Sequence, residues 1–226
     1  MNNIDIETIK LNLFDKKASI RKKMAIKIAK EKLSSCGDDL FKSYINERKI
    51  PIEKSWETQK YMITALGIIK YEKVLPILLE NMKYNNIIGG AIITSSALAY
   101  VRILRKNEQD ITPIMELYET KNLNIILGAT ESLVYDEIIP SEDDINKLIS
   151  FFNDNEKCIL ESKIPEATDP RALLLAAMAN WNQDTPLVQA FIEKCSRLDW
   201  CINLDCINKI KKRKKYFRNS SITTLR

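Results

Sequence analysis

The chain of 226 residues contains no histidine. That removes Ser-His, Cys-His and His-metal chemistry together, so catalysis would fall to carboxylates, lysine, tyrosine or cysteine. Glycine (5) and proline (7) are scarce. Few tight turns and few left-handed backbone positions are implied, which favours helices over many short strands. No apolar run reaches the ~18 residues of a membrane span, so none is predicted. The opening MNNIDIETIK has neither the basic region nor the apolar core of a signal peptide, and the expectation is a cytoplasmic protein. The five cysteines are odd in number, and Cys36 and Cys158 stand apart from the others. Cys195, Cys201 and Cys206 lie close together, but without the spacing of a zinc ribbon or knuckle. Buried, reduced thiols are expected. No metal or other cofactor is assigned.

What is present is strongly segregated charge. The net +5 divides into +9 over residues 1–106, −11 over 107–169 and +7 over 170–226. A field of this kind bears on partners rather than on fold. The acids of the middle third are Glu108, Asp110, Glu116, Glu119, Glu131, Asp136, Glu137, Glu142, Asp143 and Asp144, with further acids up to Asp169.

Apolar spacing is helical throughout. Trp56 to Met82 reads as two antiparallel helices: Tyr61, Met62, Ala65, Leu66 and Ile69 stripe the first, and Val74, Leu75, Leu78, Leu79 and Met82 the second. Lys70 to Lys73 leave room only for a tight reversal. Before this pair, Ile4–Leu13 predicts a short helix. Asp15 is a candidate cap for the next one, striped by Ile20, Met24, Ala25, Ile28 and Ala29, with six basic residues from Arg21 to Lys32 opposite. Gly37-Asp38 predicts a turn into a helix through Leu40, Phe41 and Tyr44 that Pro51 ends. Asn85-Asn86 and Gly89-Gly90 mark a loop. Ile92–Leu104 and a segment from Asp110 through Tyr118 form the next pair. Asn124–Tyr135 follows, and then a helix capped by Ser141, with Asp144 placed as a short capping-box acid. Residues 154–168 read as a looser, charged connection. Asp169-Pro170 starts ALLLAAMANW, the expected most buried segment, and Thr185–Leu198 is its partner.

A repeat emerges from these pairs. LPIL around Pro76 returns as TPIM around Pro113 after 37 residues and as TPLV around Pro186 after a further 73, about two units. Proline suits a first helical turn, where its missing N–H loses no partner. One hairpin cannot bury both of its stripes, so neighbouring hairpins must stack. Trp56, Trp181 and Trp200 are scattered and read as core or partner contacts. The tail from Lys209 to Arg226 holds eight basic and no acidic residues, and reads as the polar cap of a terminal repeat.

Ala65-Leu66-Gly67 followed by Leu75-Pro76-Ile77-Leu78 resembles the short bacterial form of the HEAT repeat, echoed by Ala97-Leu98 and Ser132-Leu133. The resemblance covers roughly residues 15–200. It implies an all-α fold: a single HEAT-like solenoid of about five hairpins, with a basic N-terminal cap (1–50), an acidic middle (107–169) and a basic C-terminal cap (200–226). In that family the second helices line a concave protein-binding face.

The functional expectation is a non-catalytic protein binder. Its acids would receive a basic partner, and neutralisation of a basic, nuclease-like bacterial toxin is the best specific case. The Ile-, Lys- and Asn-rich composition fits an AT-rich bacterial genome. The alternatives are a nucleic-acid-binding HEAT-like protein or an enzyme resembling alkylpurine DNA glycosylases, gripping phosphates through Lys16–Lys32 and Lys209–Arg218, and a maturation factor of the cofactor-attachment type. The acidic middle argues against nucleic acid.

Overall fold

The computed structural model describes residues 3–83, 90–157, 169–181, 185–197 and 207–208. Every regular element among them is helical, so the fold class is all-α. The described residues fall into two compact units divided between Leu104 and Arg105.

The first unit holds α1 (Asn3–Asn12), α2 (Ala18–Glu31), α3 (Gly37–Glu47), α4 (Ile52–Ile68), α5 (Leu75–Asn81) and α6 (Gly90–Leu104), with single 3-10 turns at Ser34–Cys36 and Glu72–Val74. Helix α4 lies between α2 and α6, α3 packs on α4, and α5 packs on α6. Corresponding helices run in the same direction. Lys22 near the start of α2 pairs with Glu57 near the start of α4 at 3.0 Å. Tyr71 and Lys73, just ahead of α5, both bond Asp38 in the first turn of α3. At the far ends Asn81 Nδ2 donates to Tyr44 Oη at 2.8 Å, and Arg48 pairs with Glu80 at 2.9 Å. Starts meet starts and ends meet ends, so α3 and α5 lie parallel.

The sandwiched position of α4 explains a difference from its sequence pattern. Tyr61, Met62, Ala65 and Leu66 are buried as their stripe predicts, but so are Ser55, Thr58, Gln59, Ile63, Thr64 and Gly67, while Ile69 is only half-buried. A helix with a neighbour on each flank buries more than one stripe. Gly67 marks the closest approach: a Cβ there would stand 2.7 Å from Ala99 Cα in α6. In α5 the pattern overstates burial. Leu78 and the flanking Val74 and Met82 are buried, Leu75 is half-buried, and Leu79 is 46% exposed.

Three of the reversals share one design. Lys32, Lys70 and Glu137 adopt left-handed backbone conformations (φ 50°, 52° and 49°). The next residue, Leu33, Tyr71 or Ile138, donates its N–H back to Ile28, Leu66 or Leu133 at 3.0, 3.0 and 3.2 Å. These bonds satisfy carbonyls that the helix end would leave unpaired. The following helix then starts five residues after the left-handed one: Lys32 to Gly37, Lys70 to Leu75, Glu137 to Glu142. Gly37 is therefore no turn residue. It begins α3, and a Cβ there would stand 2.6 Å from the Tyr71 ring. Asp15 does not cap α2 either. Its carboxylate accepts from Lys17 N at 2.7 Å, and Lys17 is the N-cap, so Asp15 stands too far ahead.

The second unit holds α7 (Thr112–Tyr118), α8 (Leu123–Tyr135), α9 (Glu142–Asp154), α10 (Pro170–Met178) and α11 (Pro186–Ser196). Helix α8 packs against α7 and α10, and α11 against α9. Every residue of α10 is buried, Arg171 included. Its guanidinium is paired with Asp169 at 2.8 Å and Glu156 at 3.3 Å, which a charge at that depth requires. Pro76, Pro113, Pro170 and Pro186 each stand in the first turn of a helix. Trp181 is buried and donates its indole N–H to Ile138 O at 2.8 Å, whereas Trp56 is 38% exposed. The loop at Asn85, Asn86 and Gly89, the greater part of the 154–168 connection with Cys158, the segment with Trp200, Cys201 and Cys206, and the basic tail lie outside the described residues.

Candidate functional site

The acid-rich stretch is carried on α7, α8 and α9, and the core beneath holds these helices in register. Tyr118 at the end of α7 stacks on Phe151 of α9, with ring centroids 4.4 Å apart, and meets the edge of Phe152 at 5.6 Å. Its hydroxyl shares a 2.8 Å hydrogen bond with Thr130 of α8. Burial drives the phenol pKa far upward, so this ring stays neutral.

At the opposite end stand the starts of α7 and α9. Asp110 Oδ1 accepts from Thr112 N and Oδ2 from Lys106 N, both at 3.0 Å, which folds the loop leading into α7. Ser141 caps α9 by accepting from Asp144 N at 3.3 Å, and its hydroxyl donates to the Asp144 carboxylate at 2.9 Å. Asp144 also pairs with Lys147 at 2.7 Å. Asp110 and Asp144 lie close enough that the charge of one raises the pKa of the other. Both carboxyls nevertheless lie below their ordinary value. For Asp110, burial pushes upward, but the hydrogen bonds from Lys106 and Thr112 outweigh it. For Asp144, the hydrogen bond from Lys147 dominates and the Ser141 hydroxyl adds to it. Both are ionised at neutral pH.

Seven of the ten acids singled out share this end of the unit. Glu108 and Asp110 precede α7, Asp136 and Glu137 occupy the reversal from α8 to α9, and Glu142, Asp143 and Asp144 open α9. Glu108, Glu137, Glu142 and Asp143 are exposed there, while Asp110, Asp136 and Asp144 are half-buried. The remaining three stand elsewhere: Glu116 exposed late in α7, Glu119 exposed beyond its last turn, and Glu131 half-buried within α8. The acids thus gather at a rim of helix starts and reversals rather than along the length of the second helices. First-turn acids are also favoured by the helix dipole, which accounts locally for Glu142, Asp143 and Asp144.

Three of the six basic residues from Arg21 to Lys32 are paired with acids of the same unit. Arg21 bonds Glu47, Lys22 pairs with Glu57, and Lys27 pairs with Asp5 at 2.9 Å. Among the described residues no group of three or more cysteines and carboxylates stands where it could hold a metal ion. Nor is any described helix long and apolar enough to cross a membrane. Cys36 and Cys195 are buried free thiols, and burial pushes the Cys195 pKa up to about 12. No known protein family, no curated protein and no solved structure matches this chain.

The pairing of Arg21 with Glu47 was not legible in the sequence. The two residues are 26 positions apart and neither belongs to a motif. The one signal was an acid at the end of α3 on the face that carries Leu40 and Tyr44.

Proposed function

We propose that this chain is a non-catalytic protein-binding module, a HEAT-like solenoid of about five hairpins whose acid-rich rim receives a basic protein surface. Support for the stacking comes from the parallel course of corresponding helices, α3 with α5 in one unit and α7 with α9 in the other, together with the shared reversal geometry. Helical hairpins stacked in one sense build extended binding surfaces of this kind. The observation that carries the partner's chemistry is the gathering of acids at these helix starts and reversals: Glu108, Glu137, Glu142 and Asp143 are exposed there, beside Asp110 and Asp144, both held ionised. Such a rim steers a cationic partner and suppresses an anionic one. This disfavours the nucleic-acid reading. The specific case is neutralisation of a basic, nuclease-like bacterial toxin by occlusion inside the cytoplasm.

The test pairs the wild type with a Glu137→Lys, Glu142→Lys, Asp143→Lys variant, all three at exposed positions. Each is immobilised and offered source-cell lysate at low salt. A basic protein held by the wild type, released by added salt and lost from the variant supports the reading. Capture that survives charge reversal removes the rim from it. If the captured protein is a toxin, co-expression with the wild type restores growth and co-expression with the variant does not.

A further inference from the structure

Among the described residues of the first unit, the exposed large apolar side chains are Leu11, Phe14, Trp56 and Leu79, with Leu11 as much as 75% exposed. All four stand at one end of the helix stack. Leu11 is in the last turn of α1 and Phe14 follows that helix, Trp56 is in the second turn of α4, and Leu79 is late in α5. Ties between the helices bring these places to the same end. Arg21 near the start of α2 bonds Glu47 at the end of α3 and Asp15 O beyond α1, at 2.7 Å each. Lys22 pairs with Glu57 of α4, and Arg48 with Glu80 of α5. Phe14 also lines one cleft with Asn46 and Ile50, so the α1–α2 and α3–α4 reversals are neighbours. The other end, where α3 and α5 begin, carries the polar tie of Asp38 with Tyr71 and Lys73 instead.

The two reversals also carry exposed Lys16, Lys17, Lys49 and Lys54. Against them stand Glu53, exposed, and Asp15, half-buried with its carboxylate accepting from Lys17 N. The two arginines here are spent on Glu47 and Glu80, so the outward cations are all lysines. Lysine is a point charge on a flexible stem, without the fork that fits one oriented carboxylate or phosphate. Such charges suit a diffuse anionic surface, and apolar side chains among them suit one with an apolar interior. We infer that this edge is a peripheral docking surface for an anionic lipid bilayer. Leu11 and Phe14 enter the boundary between headgroups and acyl chains, and the lysines lie over the headgroups. A second copy docked edge to edge would set lysines against lysines, which disfavours self-pairing. The edge belongs to the first unit and the acid rim to the second, so neither reading depends on the other.

The experiment is flotation of the full chain with vesicles of phosphatidylcholine alone and with vesicles in which about one third is phosphatidylserine. The expected result is that the chain floats with the anionic vesicles, stays behind with the neutral ones and is released as salt rises. Two variants change exposed positions only: Leu11→Ser with Phe14→Ser, and Lys16→Glu with Lys17→Glu and Lys49→Glu. Each should lower the partition coefficient by about tenfold or more, with far-UV circular dichroism unchanged. Either variant serves alone if the other does not fold. Absence of binding, equal binding to both kinds of vesicle, or undiminished binding of a folded variant overturns the inference; the last is what attraction through the basic segment Lys209 to Arg218 would give. Poly-L-glutamate that holds the wild type but not the lysine variant, with no vesicle binding, also overturns it and reassigns the edge to an acidic protein.

Discussion

Gly67 stands where α4 and α6 approach most closely, and its missing side chain is what permits the contact with Ala99. Because the obstruction would be backbone, it cannot swing aside. Gly67→Ala should destabilise by about 1–3 kcal/mol despite alanine's better helix propensity, read as a lower urea midpoint. Gly37→Ala should cost less, since its obstacle is the movable Tyr71 ring. Lys32 presents the opposite case. It is an exposed lysine held at φ 50°, where a Cβ is unfavourable. Lys32→Gly should leave stability unchanged or raise it by up to about 1 kcal/mol in the same assay. Cys195 should resist alkylation at pH 8 in the folded protein and react once the chain is unfolded. Burial holds its thiol protonated, with a pKa of about 12, and mass spectrometry of the labelled peptides measures this.

At the scale of elements, buried polar ties decide which helices lie together. Asn81 at the end of α5 donates to Tyr44 of α3 and to Ser96 of α6, at 2.8 and 3.0 Å. Asn81→Ala removes both bonds inside the core. It should cost about 2–3 kcal/mol, measured by chemical denaturation. The starts of α7 and α9 carry a pH dependence whose sign follows from their carboxyls. Asp110 and Asp144 both lie below the ordinary 3.8 in the folded protein, so the unfolded chain takes up their protons first. Their contribution is complete above that value and is lost as pH falls through the lower folded values. An Asp110→Asn, Asp144→Asn double variant should therefore show a flatter acid limb in a plot of stability against pH. The caps themselves were legible. The sequence puts Ser141 and Asp169 at helix starts, and each accepts from the backbone there. Asp15 is not the cap because a cap depends on where the helix begins, and that start lies at Ala18.

At the scale of the molecule, charge is divided along the chain, and the described residues form two compact units. If a basic partner docks on the acid rim, its association rate should fall more than about tenfold from low to physiological salt, with a smaller change in dissociation. Surface-based kinetics on the captured partner measures both rates. A salt-independent association rate removes steering by the rim.

Local sequence is enough to make the described chain helical, to open helices at Ser141, Asp169 and four prolines, and to gather the acids in one segment. These are decisions made within about four residues, by hydrogen bonds and apolar periodicity that neighbours along the chain supply. Packing alone set that α4 is enclosed on both flanks, that Leu79 and Trp56 reach solvent, that the charge of Asp110 bears on Asp144, and that Glu47 is buried against Arg21. Each of those depends on which surface arrives from a distant part of the chain, and packing is a sum over partners that no local pattern encodes.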